Sequence, residues 1–504
     1  MNPLLERVDA LRREANRDID AERKAELGQF LTPAPVAKLM ASMFKCTVPD
    51  VSILDAGAGV GSLFAAVVAE LGARIDRPRR ISVEAYEIDA VFVPYLKRTA
   101  ELCDQFCREQ GVEFSANLLQ ADFIRHHEEV LFLRAADPRF DCVILNPPYR
   151  KIRSESGIRK ALRNLGIETG NLYAGFVALA MYLLKAGGEL VAITPRSFCN
   201  GPYFKPFREA FLRNLAMKRI HVYEARDAAF RDDDVLQENI IVHAVRSPAI
   251  PAVVEVTSSQ GASDECCKSS FVPYDRVVPP DDPDLFIHLP LGRGELVSHS
   301  IQRLPLSLQE LRMSVSTGRV VDFRARELLR SDPEQGCVPL IYPCHVSSSG
   351  INWPRKGKKP NAIVVSDRAG ELLVPNANYV LVKRFSTKEE RRRIVACVYE
   401  AAKFSYPLVG FENHLNYFHE NGRGLSLELA WGLAAFLNSS VVDHYFRLFS
   451  GHTQVNAADL RKLRYPTREQ LQEIGRKLER DPGQQDAGQA MDILLSLKED
   501  TAAT

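Results

Sequence analysis

Asn146-Pro147-Pro148-Tyr149 is the run of residues whose types and order point most specifically to chemistry. It directly follows the apolar, strand-like stretch Phe140–Leu145. Two successive prolines fix φ and carry no N–H, so the turn is rigid and can aim its oxygens outward. The Asn146 side-chain oxygen and the Pro147 carbonyl form a pair of acceptors able to hold both N–H groups of a planar amine. Such an amine is a poor nucleophile, because its lone pair is delocalised into the ring. Held by two acceptors, the lone pair can point towards an electrophilic methyl group. Tyr149 offers a flat ring on which a planar substrate can stack. This chemistry requires no metal and no covalent intermediate; positioning and local electrostatics carry it. The plain alternative is an ordinary turn, and what precedes these residues argues against it.

Three features lie upstream. Ile53-Leu54-Asp55-Ala56-Gly57-Ala58-Gly59-Val60-Gly61-Ser62-Leu63 is an apolar strand entering a Gly-x-Gly-x-Gly turn and then a helix. Glycines let a ligand approach the backbone closely, and the helix start supplies unpaired N–H groups. Alone the turn fits a dinucleotide, a nucleoside or no ligand. Glu87 ends the next strand, in Tyr86-Glu87-Ile88-Asp89, where a carboxylate can accept from ribose hydroxyls or simply be solvated. Asp122, in Gln120-Ala121-Asp122-Phe123, closes the third strand-like run. It can accept from the exocyclic amine of an adenine ring, or cap a helix.

Strand ends in this order need a layered sheet to hold them. Strand-like runs at Val51–Asp55, Ile81–Glu87, Leu118–Asp122, Asp141–Leu145, Glu189–Thr194, Arg219–Tyr223 and Asn239–Val245 alternate, early on, with helical patterns. This predicts an α/β domain with a mostly parallel sheet and ligands at the carboxyl ends of the strands. Residues 3–27 have helical spacing. Gly28-Gln29-Phe30-Leu31-Thr32-Pro33 follows, with Thr32 expected to cap a helix that Val36 to Phe44 continues. The expected organisation is a catalytic domain over 1–250, a Ser- and Pro-rich linker with some ordered edges over 251–285, a second, mixed α+β domain over 286–466 with one apolar helix at Leu427–Leu437, and a helical tail over 467–504.

The 504 residues carry a formal net charge of only +1, so any nucleic-acid surface must be local. Residues 310–393 hold 16 Lys/Arg against 9 Asp/Glu, while Arg391-Arg392-Arg393 reads as solvated. The ten cysteines show no zinc spacing, and no metal is expected. The apolar stretch from Leu172 to Ala186 is too short to cross a bilayer and the charged start is no signal peptide. A cytoplasmic protein with free thiols and no membrane association is expected.

On these motifs the chain resembles the TaqI-like, gamma-ordered N6-adenine DNA methyltransferases found among type II modification methylases. The order is that family's: the Gly28–Phe44 segment, the glycine turn, Asn-Pro-Pro-Tyr, and a C-terminal target-recognition region. Ala186-Gly187-Gly188-Glu189-Leu190, Ile193-Thr194-Pro195-Arg196-Ser197-Phe198 and Leu236-Gln237-Glu238-Asn239-Ile240 match its style, as do Leu340–Pro343, Val382–Phe385 and Glu412–Phe418. The resemblance implies a class I S-adenosylmethionine-dependent fold, Rossmann-like with a mostly parallel seven-stranded sheet. It implies that Thr32, Gly57, Gly59, Glu87 and Asp122 contact S-adenosyl-L-methionine, with Asp55 and Gly61 counted to the same set. Asn146, Pro147 and Tyr149 would hold the target base, and Phe230 is the expected second stacking aromatic.

A base inside a duplex hides its amine, so it must be flipped out, and contacts elsewhere on the DNA must offset about a few kcal/mol. Arg319, Arg324, Arg326, Arg355, Lys356, Lys358, Lys359, Lys383 and Arg384 are the expected phosphate or guanine contacts. Double-stranded DNA is the expected partner of a monomer, with a cognate restriction endonuclease as a separate chain. The competing readings are N4-cytosine methylation, methylation of RNA or of protein glutamine, and a catalytically inert DNA-recognition subunit.

Overall fold

The computed structural model describes residues 2–19, 30–131, 138–153, 155–223, 239–259, 261, 268–289, 301, 303–347, 350–385, 392–449 and 454–480. The chain divides into two compact units, 1–291 and 292–504.

The first unit is built on a nine-stranded sheet of order β3-β2-β1-β4-β5-β7-β6-β8-β9. Its strands are β1 (Asp50–Ala56), β2 (Arg80–Glu87), β3 (Glu113–Gln120), β4 (Phe140–Leu145), β5 (Leu184–Pro195), β6 (Leu215–Tyr223), β7 (Asn239–Arg246), β8 (Val253–Ser259) and β9 (Lys268–Pro273). Strands β1 to β5 pair in parallel, while β7 runs antiparallel to both β5 and β6. The sheet thus exceeds the expected seven strands. The extra two come from the stretch expected as a linker: β8 pairs in parallel with β6, and β9 runs antiparallel to β8. Its Ser-rich composition hides an alternating Val253-Val254-Glu255-Val256 edge, in which Val254 and Val256 are buried.

Two layers of helices cover the sheet. Helices α1 (Pro3–Asp18), α2 (Ala34–Ala41), α3 (Ser62–Gly72) and α4 (Val93–Gln110) share a core with Ile53, Ile144 and Ile193. On the other face α5 (Phe123–Leu131), α6 (Gly157–Asn164), α7 (Leu172–Leu183) and α8 (Lys205–Asn214) enclose a core that includes Leu54, Val143 and Leu145. Neighbouring residues of one strand enter opposite cores, as the two-residue pleat requires. The helix types follow from burial. In α4 the buried Leu96, Thr99, Cys103 and Cys107 recur every three or four residues, one apolar stripe on a solvated helix. In α7 all but one residue is buried, and the sequence is accordingly apolar all round.

The second unit carries a four-stranded sheet built from Ser314–Thr317, Leu415–His419, Tyr379–Lys383 and Ala396–Tyr399, and a five-stranded sheet around Cys337–Ile341. Helix Arg468–Arg480, expected as a separate tail, packs on helix Leu427–Leu437 within this unit. A Cβ at Gly432 would lie 1.8 Å from the Leu471 carbonyl oxygen, so only glycine permits this approach. No helix among the described residues is long and apolar enough to cross a membrane. No described cysteine is in a disulfide, and no metal-binding group of side chains occurs among the described residues.

Candidate active site

The chain runs outward from β1 through β2 to β3, then returns to place β4 on the other side of β1. That reversal opens a crevice between the carboxyl ends of β1 and β4. Asp55 pairs with Ile144 across these strands, so both leave the sheet side by side, one into Gly57 and the other into Asn146. The glycine turn and the rigid Asn-Pro-Pro-Tyr turn meet because of the strand order alone.

Each glycine of the turn has positive φ, +81° at Gly57, +55° at Gly59 and +87° at Gly61. At Gly59 a Cβ would lie 2.8 Å from Leu31 Cδ2. The turn is tied to the β2 end: the Gly57 and Ala58 N–H groups donate to the Tyr86 carbonyl at 2.9 and 2.8 Å. Gly59 N–H donates to Glu87 Oε2 at 2.7 Å, and Asp89 N–H to Oε1 at 2.7 Å. Glu87 also lines the cleft, where a carboxylate can accept from ligand hydroxyls. Asp55 lies beneath the turn, accepting from the Phe64 N–H at 3.1 Å at the start of α3. Its Oδ1 is buried with no hydrogen-bond partner. Burial, aided by the nearby Glu87 charge and opposed by the Phe64 bond, pushes its carboxyl up to about 8.

The N-terminal helix sets the opposite wall. Buried Asp9 of α1 pairs with Arg12 at 2.7 Å and accepts the Ala34 N–H at 3.3 Å, and Leu31 packs with Ala15, Val60 and Phe92. These contacts hold residues 30–33 against the end of β4. There Asn146 Nδ2 donates to the Phe30 carbonyl at 2.8 Å and to Thr32 Oγ1 at 2.9 Å. A carbonyl can only accept, so the amide nitrogen must face Phe30 and Oδ1 is the end left over. Tyr149 is half-buried, its ring centroid 5.8 Å from Phe30 and 6.3 Å from Tyr173, its hydroxyl donating to the Ile193 carbonyl at 3.3 Å.

These elements surround an open cleft of about 790 Å³ whose wall includes Gly57, Gly59, Glu87, Asp122 and Asn146. Five expected residues are thus brought together, while Thr32, Asp55, Gly61, Pro147 and Tyr149 stand outside that wall. Asp122 has both of its expected roles available. It lines the cleft, and its Oδ1 caps α5 by accepting from Ile124 and Arg125 N–H at 3.0 and 3.2 Å. Thr32 is not the cap of α2, which begins after Pro33; its hydroxyl is engaged by Asn146 instead. Phe230 lies outside the described residues.

The sequence reading missed the apolar walls, Phe30, Ile88, Phe123 and Phe176. Ile88, next to Glu87, is 52% exposed and puts an apolar face on the cleft wall, and the sequence signal that could have found it is its place directly after the strand-end acid. The lining fits the nucleoside of the expected cofactor, with apolar faces for a flat ring, two acids for hydroxyls and an amine, and bare backbone at Gly57 and Gly59.

In the second unit Arg324, Arg326, Lys356 and Lys358 are exposed and have no ion-pair partner among the described residues. Other expected DNA contacts, of which Lys359, Arg355 and Arg319 are also exposed, are engaged by groups of the same unit. Lys359 pairs with Asp322 at 2.8 Å, Arg355 donates to the Cys344 carbonyl at 2.6 Å, Arg319 to the Glu371 carbonyl at 3.2 Å, and Arg384 to the Asn413 carbonyl at 2.7 Å. Lys383 is half-buried at the end of its strand, and Arg393, expected to be solvated, is buried.

Residues 85–230 match the family described as Eco57I restriction-modification methylase. The chain is 46% identical over 474 residues to the type II methyltransferase M.PstI of Providencia stuartii, covering 94% of this chain and 93% of that one. It is 43% identical over 482 residues to the type II methyltransferase M.BsuBI of Bacillus subtilis, covering 94% of each. Its fold is similar to that of the Type IIL restriction-modification enzyme MmeI, solved in complex with DNA: TM-score 0.53, 12% identity, 90% of this chain and 69% of that one. Relatives this similar over nearly the whole chain, together with the glycine turn and the Asn-Pro-Pro-Tyr turn at one cleft, show that the chain belongs to the type II methyltransferases of restriction-modification systems and takes S-adenosyl-L-methionine as its cofactor.

Proposed function

We propose that this enzyme methylates N6 of adenine at a specific site in double-stranded DNA, acting on a base flipped out of the helix. The observation that carries the reading is the orientation of Asn146. Its nitrogen is committed to Phe30 and Thr32, so Oδ1 serves as an acceptor at the cleft. With the Pro147 carbonyl it takes both N–H groups of the target amine. The lone pair is then directed out of the ring, and positive charge developing on nitrogen faces two oxygen dipoles. S-adenosyl-L-methionine, when bound, supplies a sulfonium methyl group. Gly57, Gly59, Glu87 and Asp122 hold its nucleoside, and Tyr149, outside the wall of that cleft but with its ring 5.8 Å from the wall residue Phe30, is the face against which the flipped base stacks. Exposed cations of the second unit, Arg324, Arg326, Lys356 and Lys358, contact the DNA backbone.

N4-cytosine methyltransferases often carry serine at the position of Asn146, so by resemblance the asparagine favours adenine without excluding cytosine. Incubation with tritiated S-adenosyl-L-methionine and a long mixed-sequence duplex, followed by digestion to nucleosides, separates the two. Label in N6-methyldeoxyadenosine is expected, whereas label in N4-methyldeoxycytidine overturns the base assignment. Asn146→Ala should lower the rate by roughly 10²–10³-fold or more while cofactor affinity stays close to wild type. Undiminished turnover in that variant would remove Asn146 from the reaction.

A further inference from the structure

The DNA contacts expected from sequence all lie in the second unit, yet the catalytic unit carries a cationic strip beginning at the residue after Tyr149. Between Arg150 and Arg163 there are six Lys/Arg and a single acid, Glu155. Arg159 and Arg163 are both bound to Glu168. The rest of the strip is differently placed. Arg150 lines the cleft alongside Asn146 and Pro148. Lys151 and Arg153 are exposed and have no ion-pair partner among the described residues.

The strip is held as a rigid ribbon. Lys151 pairs antiparallel with Asn171, Ile152 N–H donates to the Gly170 carbonyl at 2.8 Å, and Leu172 N–H to the Arg150 carbonyl at 2.8 Å. Ile152 packs into the core, so strand alternation turns its neighbours Lys151 and Arg153 to the opposite, solvated side. Two long cations are thus presented from fixed backbone at the rim where Arg150 meets the cleft.

We propose that this ribbon grips the phosphodiester backbone flanking the flipped nucleotide, with Lys151 and Arg153 as phosphate contacts; the proposal rests on the DNA reading above. A nucleotide whose base reaches Asn146 remains tethered through its sugar to two phosphates. Those phosphates must pass the rim of the cleft, where the strip begins. With the backbone already pinned, binding has only the side chains left to order, so the charge suits a contact that offsets the unstacking of the base.

The test uses the full-length chain with S-adenosyl-L-methionine, a mixed-sequence duplex and a series of salt concentrations. The double variant Lys151→Gln/Arg153→Gln is compared with Lys160→Gln. Lys160 is exposed on α6, two residues from the cleft-lining Ile158 and hence on the far side of the helix. Removing two phosphate contacts should reduce the log–log salt slope of binding by about 1.8, so raising salt from about 50 to 200 mM weakens binding roughly tenfold less than in wild type. KM for DNA should rise with little change in kcat, cofactor affinity should be unaltered, and Lys151→Arg/Arg153→Lys should restore the slope. Lys160→Gln should keep it. A wild-type slope and KM in the double variant, while wild type labels DNA, overturns the ribbon alone. Absence of label in DNA with the wild-type enzyme overturns the DNA reading and the ribbon with it.

Discussion

Asn146 shows how little of a residue's function lies in its own chemistry. An amide can present either end, and here the Phe30 carbonyl and Thr32 hydroxyl decide which end faces the cleft. Asp55 makes the opposite point: a carboxyl in a strand-to-glycine turn reads as a ligand contact, but it is fully buried and holds the start of α3. Its folded pKa is raised, so the folded state takes up a proton that the unfolded chain has released above about pH 4. Stability from this group is therefore present at low pH and lost as pH rises through about 8. Asp55→Asn should remove that slope. Thermal midpoints of the cofactor-free protein, measured between about pH 5 and 8, should show the variant gaining on wild type as pH increases. Parallel curves would mean that Asp55 is ionised throughout.

At the scale of elements, the turn after β1 works because its backbone can occupy positive φ under a neighbouring segment. Gly59→Ala would place a β-carbon into Leu31 and force a left-handed alanine, at about 1–2 kcal/mol. Because the Gly59 N–H also holds Glu87, the strain should reach the cofactor, and calorimetric titration should show its affinity falling roughly tenfold. Unchanged affinity would separate the turn from the cofactor. The β1, β2 and β4 ends were legible because apolar runs followed by glycine, acid or proline are local signals. The role of α1 was not. Its Asp9 and Ala15 read as ordinary helix residues, and only packing reveals that they position residues 30–33.

For the whole molecule, a net charge of +1 conceals local excesses. The second unit's basic residues look equivalent in sequence, but neighbours divide them. All three lysines are exposed, but Lys359 is paired with Asp322 and lies 5.0 Å from the Tyr342 ring, while Lys356 and Lys358 have no ion-pair partner among the described residues. Lys356→Gln/Lys358→Gln should therefore flatten the salt dependence of DNA binding by about 0.9 for each phosphate no longer neutralised, and Lys359→Gln by less. Equal effects at all three positions, read from binding isotherms across salt, would show that the Asp322 pair opens on DNA.

The motif residues, their order and the alternation of strands with helices are properties of the sequence by itself, because period, turn chemistry and strand-end acids act over a few residues. The family resemblance rests on the same local signals. What only tertiary structure decided depends on residues far apart in the chain. The strand order brings Gly57 beside Asn146, and residues 30–32 orient an amide more than a hundred positions away. Strands β8 and β9 lie within a stretch whose composition resembles a linker, and their edge becomes a strand only because β6 is there to pair with it. Hydrogen bonds and burial between distant segments set these features, and the local sequence alone does not fix them.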